Sequence, residues 1–171
     1  MLVAAFVTAP MPWLFGGEGL GEVFVFLFFG VVAVAGSFYA QTEELAWEAF
    51  VLAVPVGLLA SAILVVNNVR DLETDRRAGK RTLAVRLGRE RTRVLYVAMV
   101  AGAFVTAQLP WLLGSLSPWL LAPWLTAPLA VRLVRTVREH ADGPTLNEVL
   151  AQTGMLQLAF CLLLSAGVLA S

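Results

Sequence analysis

Two aspartates four residues apart, Asp71 and Asp75, stand in the string NNVRDLETDRRAGKRTLAVRLG, residues Asn67–Gly88, where half of the chain's cations are gathered. On a helix continued through this string, Asn67, Asp71 and Asp75 recur at i, i+4 and i+8 and share one face. Two carboxylates and an amide oxygen one turn apart suit Mg²⁺, a hard cation usually held by one or two protein carboxylates together with phosphate oxygens and water. The Gly79–Lys80–Arg81 turn adds positive charge beyond Asp75, and Arg70, Arg76 and Arg77 flank the acids. Carboxylates for a metal and cations for bare phosphate oxygens are together what a diphosphate ester requires. Each part alone is ordinary: a DxxxD pair commonly marks a solvated helix face, and a juxtamembrane basic cluster commonly sets topology or touches anionic lipid. Asn67 and Asn68 alone read as hydrogen-bonding groups between helices. It is their combination in one short segment that points to chemistry. Two better-known motifs are excluded by single residues: a phosphate loop needs Gly at position 74 and Ser or Thr at 81, where Thr74 and Arg81 stand, and a calcium loop needs Gly where Arg76 stands.

The elements that position this segment are apolar. The 171 residues are 59% hydrophobic and 14% charged, against about 45–50% and about 25% in soluble domains. Apolar runs of spanning length lie at about Glu22–Ala40, Trp47–Val69, Thr92–Leu113, Pro118–Val137 and Val149–Ala170, each close to the ~20 residues that a ~30 Å hydrocarbon core demands. Pro55, Pro110, Pro123 and Pro128 fall in or near these runs, where a membrane bundle accommodates them as kinks. Met1–Ala9 is also apolar but meets Pro10 and Pro12 too soon to span and lacks a basic leader. It reads as the stump of a helix that begins upstream. The expected fold is all-α, a multi-pass bundle of five spanning helices plus this stump, with residues 1–171 forming one membrane domain.

Of twelve Lys and Arg residues, all but Arg132, Arg135 and Arg138 lie between Arg70 and Arg93. Five alternating spans put both clusters on one side, which the positive-inside rule makes cytoplasmic, as in a bacterial inner membrane. The opposite loops, 41–47 and 114–118, carry no basic residue and include Glu43 and Glu44. The net charge of zero would ordinarily argue against a nucleic-acid partner, but the charges are so unevenly distributed that their positions matter more than their sum; nucleic acid is not an expected partner. The single cysteine, Cys161, permits no intrachain disulfide and reads as packing.

The Asn67–Gly88 string, in the form NN-x-RD-x-x-x-D-x-x-x-GK-x-TLAV-x-x-G, resembles the second aspartate-rich motif of the UbiA-type prenyltransferases. It is most similar to the 1,4-dihydroxy-2-naphthoate polyprenyltransferases of menaquinone synthesis. GLGEVFVFLFFG at Gly19–Gly30 is similar to that subfamily's fifth helix and the loop before it, and NEVLAQTGMLQLAF at Asn147–Phe160 to its last helix. The resemblance runs from about Gly16 to the end of the chain. It implies a Mg²⁺-dependent transferase moving a polyprenyl group from polyprenyl diphosphate to an aromatic acceptor. Asp71 and Asp75 would be the catalytic metal ligands, with Asn67, Asn68, Arg70, Lys80 and Arg81 around the diphosphate. The allylic cation left by diphosphate departure would be attacked by a ring carbon of the acceptor, with loss of its carboxylate in the menaquinone branch. The family's first motif, an NDxxDxxxD-like string, has no counterpart here, and against nine helices the chain corresponds to the end of the fourth and the fifth to ninth. The expectation is therefore a C-terminal half, inactive alone and completed by a missing N-terminal half. Other acceptors, 4-hydroxybenzoate or a tetrapyrrole, and a non-catalytic membrane partner are the competing readings.

Several other residues have local interest. Glu22 starts the first span on the side of Asp71 and reads either as a head-group contact or as an ordinary acid at a helix N-terminus. Asn147 and Glu148 hold the equivalent place on the last span. His140, the only histidine, reads as a solvated loop residue, and Trp13, Trp47, Trp111, Trp119 and Trp124 as interfacial anchors.

Overall fold

The computed structural model describes residues 19–171, so the stump at Met1–Ala9, Pro10, Pro12 and Trp13 lie outside the described residues. Among the described residues, five helices are long and apolar enough to cross a membrane and there is no strand. Helix α1 is Gly21–Thr42 and α2 is Trp47–Arg70. A short α3, Leu72–Arg77, and α4, Leu83–Leu87, follow at the membrane surface. The third span comprises α5, Arg89–Thr106, and the short α6, Leu109–Leu112. A 3₁₀ segment at Pro118–Thr126 leads into α7, Ala127–Glu139, and α8, Gly143–Leu169, closes the bundle. The chain is a multi-pass membrane protein.

Four departures from the expected spans have local causes. The last helix starts six positions before Val149, because the Asp142 carboxylate accepts the Thr145 backbone N–H at 2.9 Å and Pro144 occupies the first turn, where its missing N–H costs nothing. The fourth span begins as 3₁₀ helix across Pro118 and Pro123, since each proline withholds a donor from the α-helical ladder. The first span contains seven residues of π-helix, Phe26–Val32. That widened turn sets Gly30 against Gly57 of α2, so close that a methyl group on Gly30 would lie 2.6 Å from the Gly57 Cα. Finally, the helix does not continue unbroken through the aspartates: α2 stops at Arg70, and Asp71, with φ −91° and ψ 6°, joins it to α3. The Arg89 guanidinium caps this end, donating to the Val69 carbonyl at 3.2 Å.

Helix α2 is the central element and packs on α1, α5 and α8. Its Leu59, Val65, Val66 and Val69 meet Tyr96, Val100 and Phe104 of α5 and Leu156, Phe160 and Leu164 of α8 in one apolar core. The buried Tyr96 hydroxyl pairs with Thr153 at 3.0 Å. Outward faces are also apolar: Phe29, Val94, Leu125 and Leu169 are exposed, as expected where the surrounding solvent is lipid.

Candidate functional site

The positions of the basic residues are now explicit. Arg70, at the end of α2, donates through Nη1 to the Asn147 side chain at the start of α8 at 2.6 Å, and Arg93 of α5 donates to the carbonyl of His140, just past α7. These contacts put the 70–93 cluster and the end of α7, with Arg138, at the same end of the bundle.

At that end, a cavity of about 170 Å³ is bordered by Glu22, Leu64, Asn67, Asn68, Asp71 and Asp75, with Lys80 and Thr82 from the following turn. Although the helix is interrupted at Asp71, the Asp71 and Asp75 N–H groups still bond the Asn67 and Asp71 carbonyls, at 3.0 and 2.8 Å. The i, i+4, i+8 alignment therefore survives the change of axis, and all three side chains border one space.

Each carboxylate has a cation in contact. Arg70 grips Asp71 bidentately, Nε to Oδ1 at 2.7 Å and Nη2 to Oδ2 at 2.6 Å, and Nη2 also reaches the Asn67 amide oxygen at 2.7 Å. Lys80 Nζ lies 2.8 Å from Asp75 Oδ1. The Arg70 hydrogen bonds hold the Asp71 carboxyl below the usual carboxylate range, and Asp75 in turn holds the Lys80 ammonium above its usual value. Asp75 is buried, its side chain 10% exposed, while Lys80 is more than half exposed. The acid is inside and the cation sits at the mouth.

Glu22 is nearly fully buried, unlike an ordinary surface acid at a helix start. Its Oε1 accepts from Asn68 Nδ2 at 2.7 Å, and its backbone carbonyl accepts from Ser61 at 3.0 Å. Asn68 thus joins α1 to α2 across the cavity. Gly19, Gly21, Leu64, Thr82 and Leu83 complete the lining, and none was singled out as a site residue from sequence. Thr82 carried a signal, a hydroxyl residue two places after Gly79–Lys80 at the start of a helix; it caps α4 by accepting the Val85 N–H at 3.4 Å.

Arg76, Arg77 and Arg81 are exposed and do not border the cavity. On the six-residue α3, Leu72 and Asp75 take the inward face, which leaves the adjacent arginines outside, and Arg76 pairs with Glu73 at 3.3 Å. Asn147 acts through Arg70, while Glu148 and His140 are exposed. Trp47, Trp119 and Trp124 are exposed, and Trp124 also meets Phe104 edge to face at 5.4 Å.

The donor set suits a hard divalent cation shared with a phosphate group. Oxygens of Asp71, Asp75, Asn67 and Glu22 face one cavity, and imidazole and thiolate are absent from its lining. Among the described residues no group of three or more acidic, histidine or cysteine side chains closes on a metal by itself. The site fits an ion that takes its remaining ligands from substrate and water.

The profile of the UbiA prenyltransferase family matches residues 2–148. The 1,4-dihydroxy-2-naphthoate octaprenyltransferase of Mycobacterium tuberculosis is 44% identical over 156 residues, covering 91% of this chain and 52% of the relative. That of Mycobacterium leprae is 43% identical over 148 residues, covering 86% and 49%, and that of Escherichia coli is 36% identical over 157 residues, covering 92% and 51%. The chain spans about half the length of the curated relatives it matches.

Proposed function

The chain belongs to the UbiA prenyltransferase family, and from that membership we propose that it supplies the second diphosphate-binding half of a polyprenyltransferase. The proposed reaction moves a polyprenyl group from polyprenyl diphosphate to 1,4-dihydroxy-2-naphthoate. The observation that carries the reading is the single cavity in which Asp71, Asp75 and Asn67 meet Lys80 at the basic end of the bundle. Bound Mg²⁺ would act as a Lewis acid on the diphosphate oxygens, held by Asp71 and Asp75.

The remaining roles follow from the pairs observed. Arg70 and Lys80 rest on the carboxylates and, with Asp71 and Asp75 engaged in holding Mg²⁺, would turn to the phosphate oxygens instead. Neither cation has to be brought from solution, so the positive charge is in place where the leaving group becomes negative. When the allylic carbon–oxygen bond breaks, its electron pair leaves with the diphosphate, and Arg70 and Lys80 stabilise that charge. A ring carbon of the acceptor then bonds to the allylic carbon, and the acceptor's carboxylate departs as carbon dioxide. Asn68 and Glu22, fixed to each other, form the wall opposite the acids and orient a head group. Arg81 assists from outside the cavity, as a cation attracting the anionic donor. The positive-inside rule supports a cytoplasmic position for the basic end, and the proposed location is a bacterial inner membrane. An N-terminal half would supply the other aspartate-rich motif.

The test is Mg²⁺-dependent prenyl transfer in membranes carrying the whole gene product, compared with Asp71→Ala and Asp75→Ala. Loss of transfer in both variants at undiminished protein level is expected. Full activity in either removes that residue from the metal site.

A further inference from the structure

A second concavity lies away from the aspartates, between α5 and α7. Its volume is about 330 Å³ and its lining is almost wholly apolar, with Val97, Ala101 and Phe104 on one side, Ala127, Val131 and Val134 on the other, and Trp124 across the far end. The two antiparallel walls have matching registers. On α5, Arg93, Val97, Val100 and Phe104 recur at i, i+4, i+7 and i+11, and on α7, Ala127, Val131, Val134 and Arg138 do the same. Both apolar stripes therefore run into arginine at the basic end of the bundle. Val131 and Val134 also border a second depression together with Arg135, Arg138 and Glu139.

The charges at this mouth are incompletely matched. Arg93 pairs with Glu90 at 2.8 Å, yet its Nε–H is buried without a hydrogen-bond partner. Arg135 and Arg138 form no ion pair with any described residue, and Glu139 is the acid beside them. Three arginines against Glu90 and Glu139 leave one positive charge. From Ala127 to Arg138 the helix rises about 16 Å, close to the ~15 Å depth of one leaflet of a ~30 Å hydrocarbon core. An apolar slot one leaflet deep, ending in a single excess positive charge, has the form of one lipid chain and its phosphate.

We propose that the α5–α7 groove is a binding site for a glycerophospholipid of one net negative charge, its acyl chain along Val97, Val131 and Trp124 and its phosphate at Arg135 and Arg138. The site is separate from the aspartate cavity and holds whether or not the catalytic reading above is correct. Its effect is to clamp α7, whose contacts with the rest of the bundle are fewer than those of α2 or α8.

The experiment is native mass spectrometry of the intact protein in mild detergent, titrated with phosphatidylglycerol, phosphatidylcholine or inorganic phosphate, with thermal stability read in parallel. Phosphatidylglycerol is expected to be retained and to raise the melting temperature, and the other two to do neither. Arg135→Gln with Arg138→Gln should weaken retention roughly 30-fold, from about 1 kcal/mol per basic residue. Val131→Trp, at an exposed position, should block the slot and weaken retention at least about tenfold by excluding a few methylenes. Equal retention of phosphatidylcholine, equal stabilisation by inorganic phosphate, or unchanged phosphatidylglycerol binding in both variants overturns the proposal. Cross-linking of Val131→Cys to another polypeptide or another part of the protein in native membranes overturns it too, because the groove would then be covered by protein.

Discussion

Gly30→Ala adds one methyl group at one of the two tightest contacts among the described glycines, Gly167 against the Trp119 carbonyl being the other, and its consequences can be followed to the aspartate cavity. The new Cβ would stand 2.6 Å from the Gly57 Cα and 2.9 Å from the Ala53 carbonyl oxygen. Both are backbone atoms, so no side chain can rotate away. Carbon atoms pack at about 3.5–4.0 Å, and α1 must therefore withdraw from α2 by roughly 1 Å. Two turns away, the same pair of helices holds the Glu22–Asn68 hydrogen bond at 2.7 Å, and a withdrawal of that size takes it past useful reach. The packing cost is ~1–3 kcal/mol, and a 1 Å displacement near reacting groups costs on the order of 100-fold in rate. Gly36→Ala is the matched control on the same helix, because its added methyl would meet only the Val32 side chain at 3.9 Å. The assays are melting temperature in detergent and prenyl-transfer rate in membranes, each variant normalised to its membrane level. The expected result is a lower melting temperature and a rate down about 100-fold for Gly30→Ala, with Gly36→Ala close to the parent. Equal behaviour of the two variants would refute the claim that this helix contact sets the cavity's geometry.

Other perturbations separate the roles of individual groups. Replacing Asn147 with Ala removes an acceptor of Arg70 without touching the cavity lining, so KM for the diphosphate donor should rise several-fold while kcat changes little in steady-state assays. Arg81→Gln should reduce transfer far less than Lys80→Gln, since only Lys80 borders the cavity; equal losses in the same assay would give Arg81 a direct part. Tyr96→Phe removes one buried hydrogen bond and should destabilise the bundle by about 1 kcal/mol, measured by denaturant titration in micelles. Hydrogen bonding to the Thr145 side chain, and then to the Thr145 N–H, holds the Asp142 carboxyl below its usual range, so the cap's contribution is complete above the ordinary value near ~3.9 and fades as pH falls through the lower folded value. Asp142→Ala should accordingly melt earlier than the parent at pH 7, and the gap should narrow below about pH 4.

The sequence alone determined the membrane class, the number of spans among the described residues and the grouping of charges, because each follows from local quantities. Run length against bilayer thickness identifies the spans, as for Trp47–Arg70, and the aspartate spacing is a property of three neighbouring turns. Tertiary structure decided what no local pattern contains. The burial of Glu22 depends on Asn68, far along the chain on another helix. The hold on Arg70 depends on Asn147, farther still. Arg76, Arg77 and Arg81 look equivalent to Lys80 in composition, yet only Lys80 reaches the cavity, since which cation turns inward is set by the break at Asp71 and the packing of α3. Spacing along one helix is a matter of its own geometry, whereas the approach of two helices is fixed by side chains on both, as Gly30 against Gly57 makes plain.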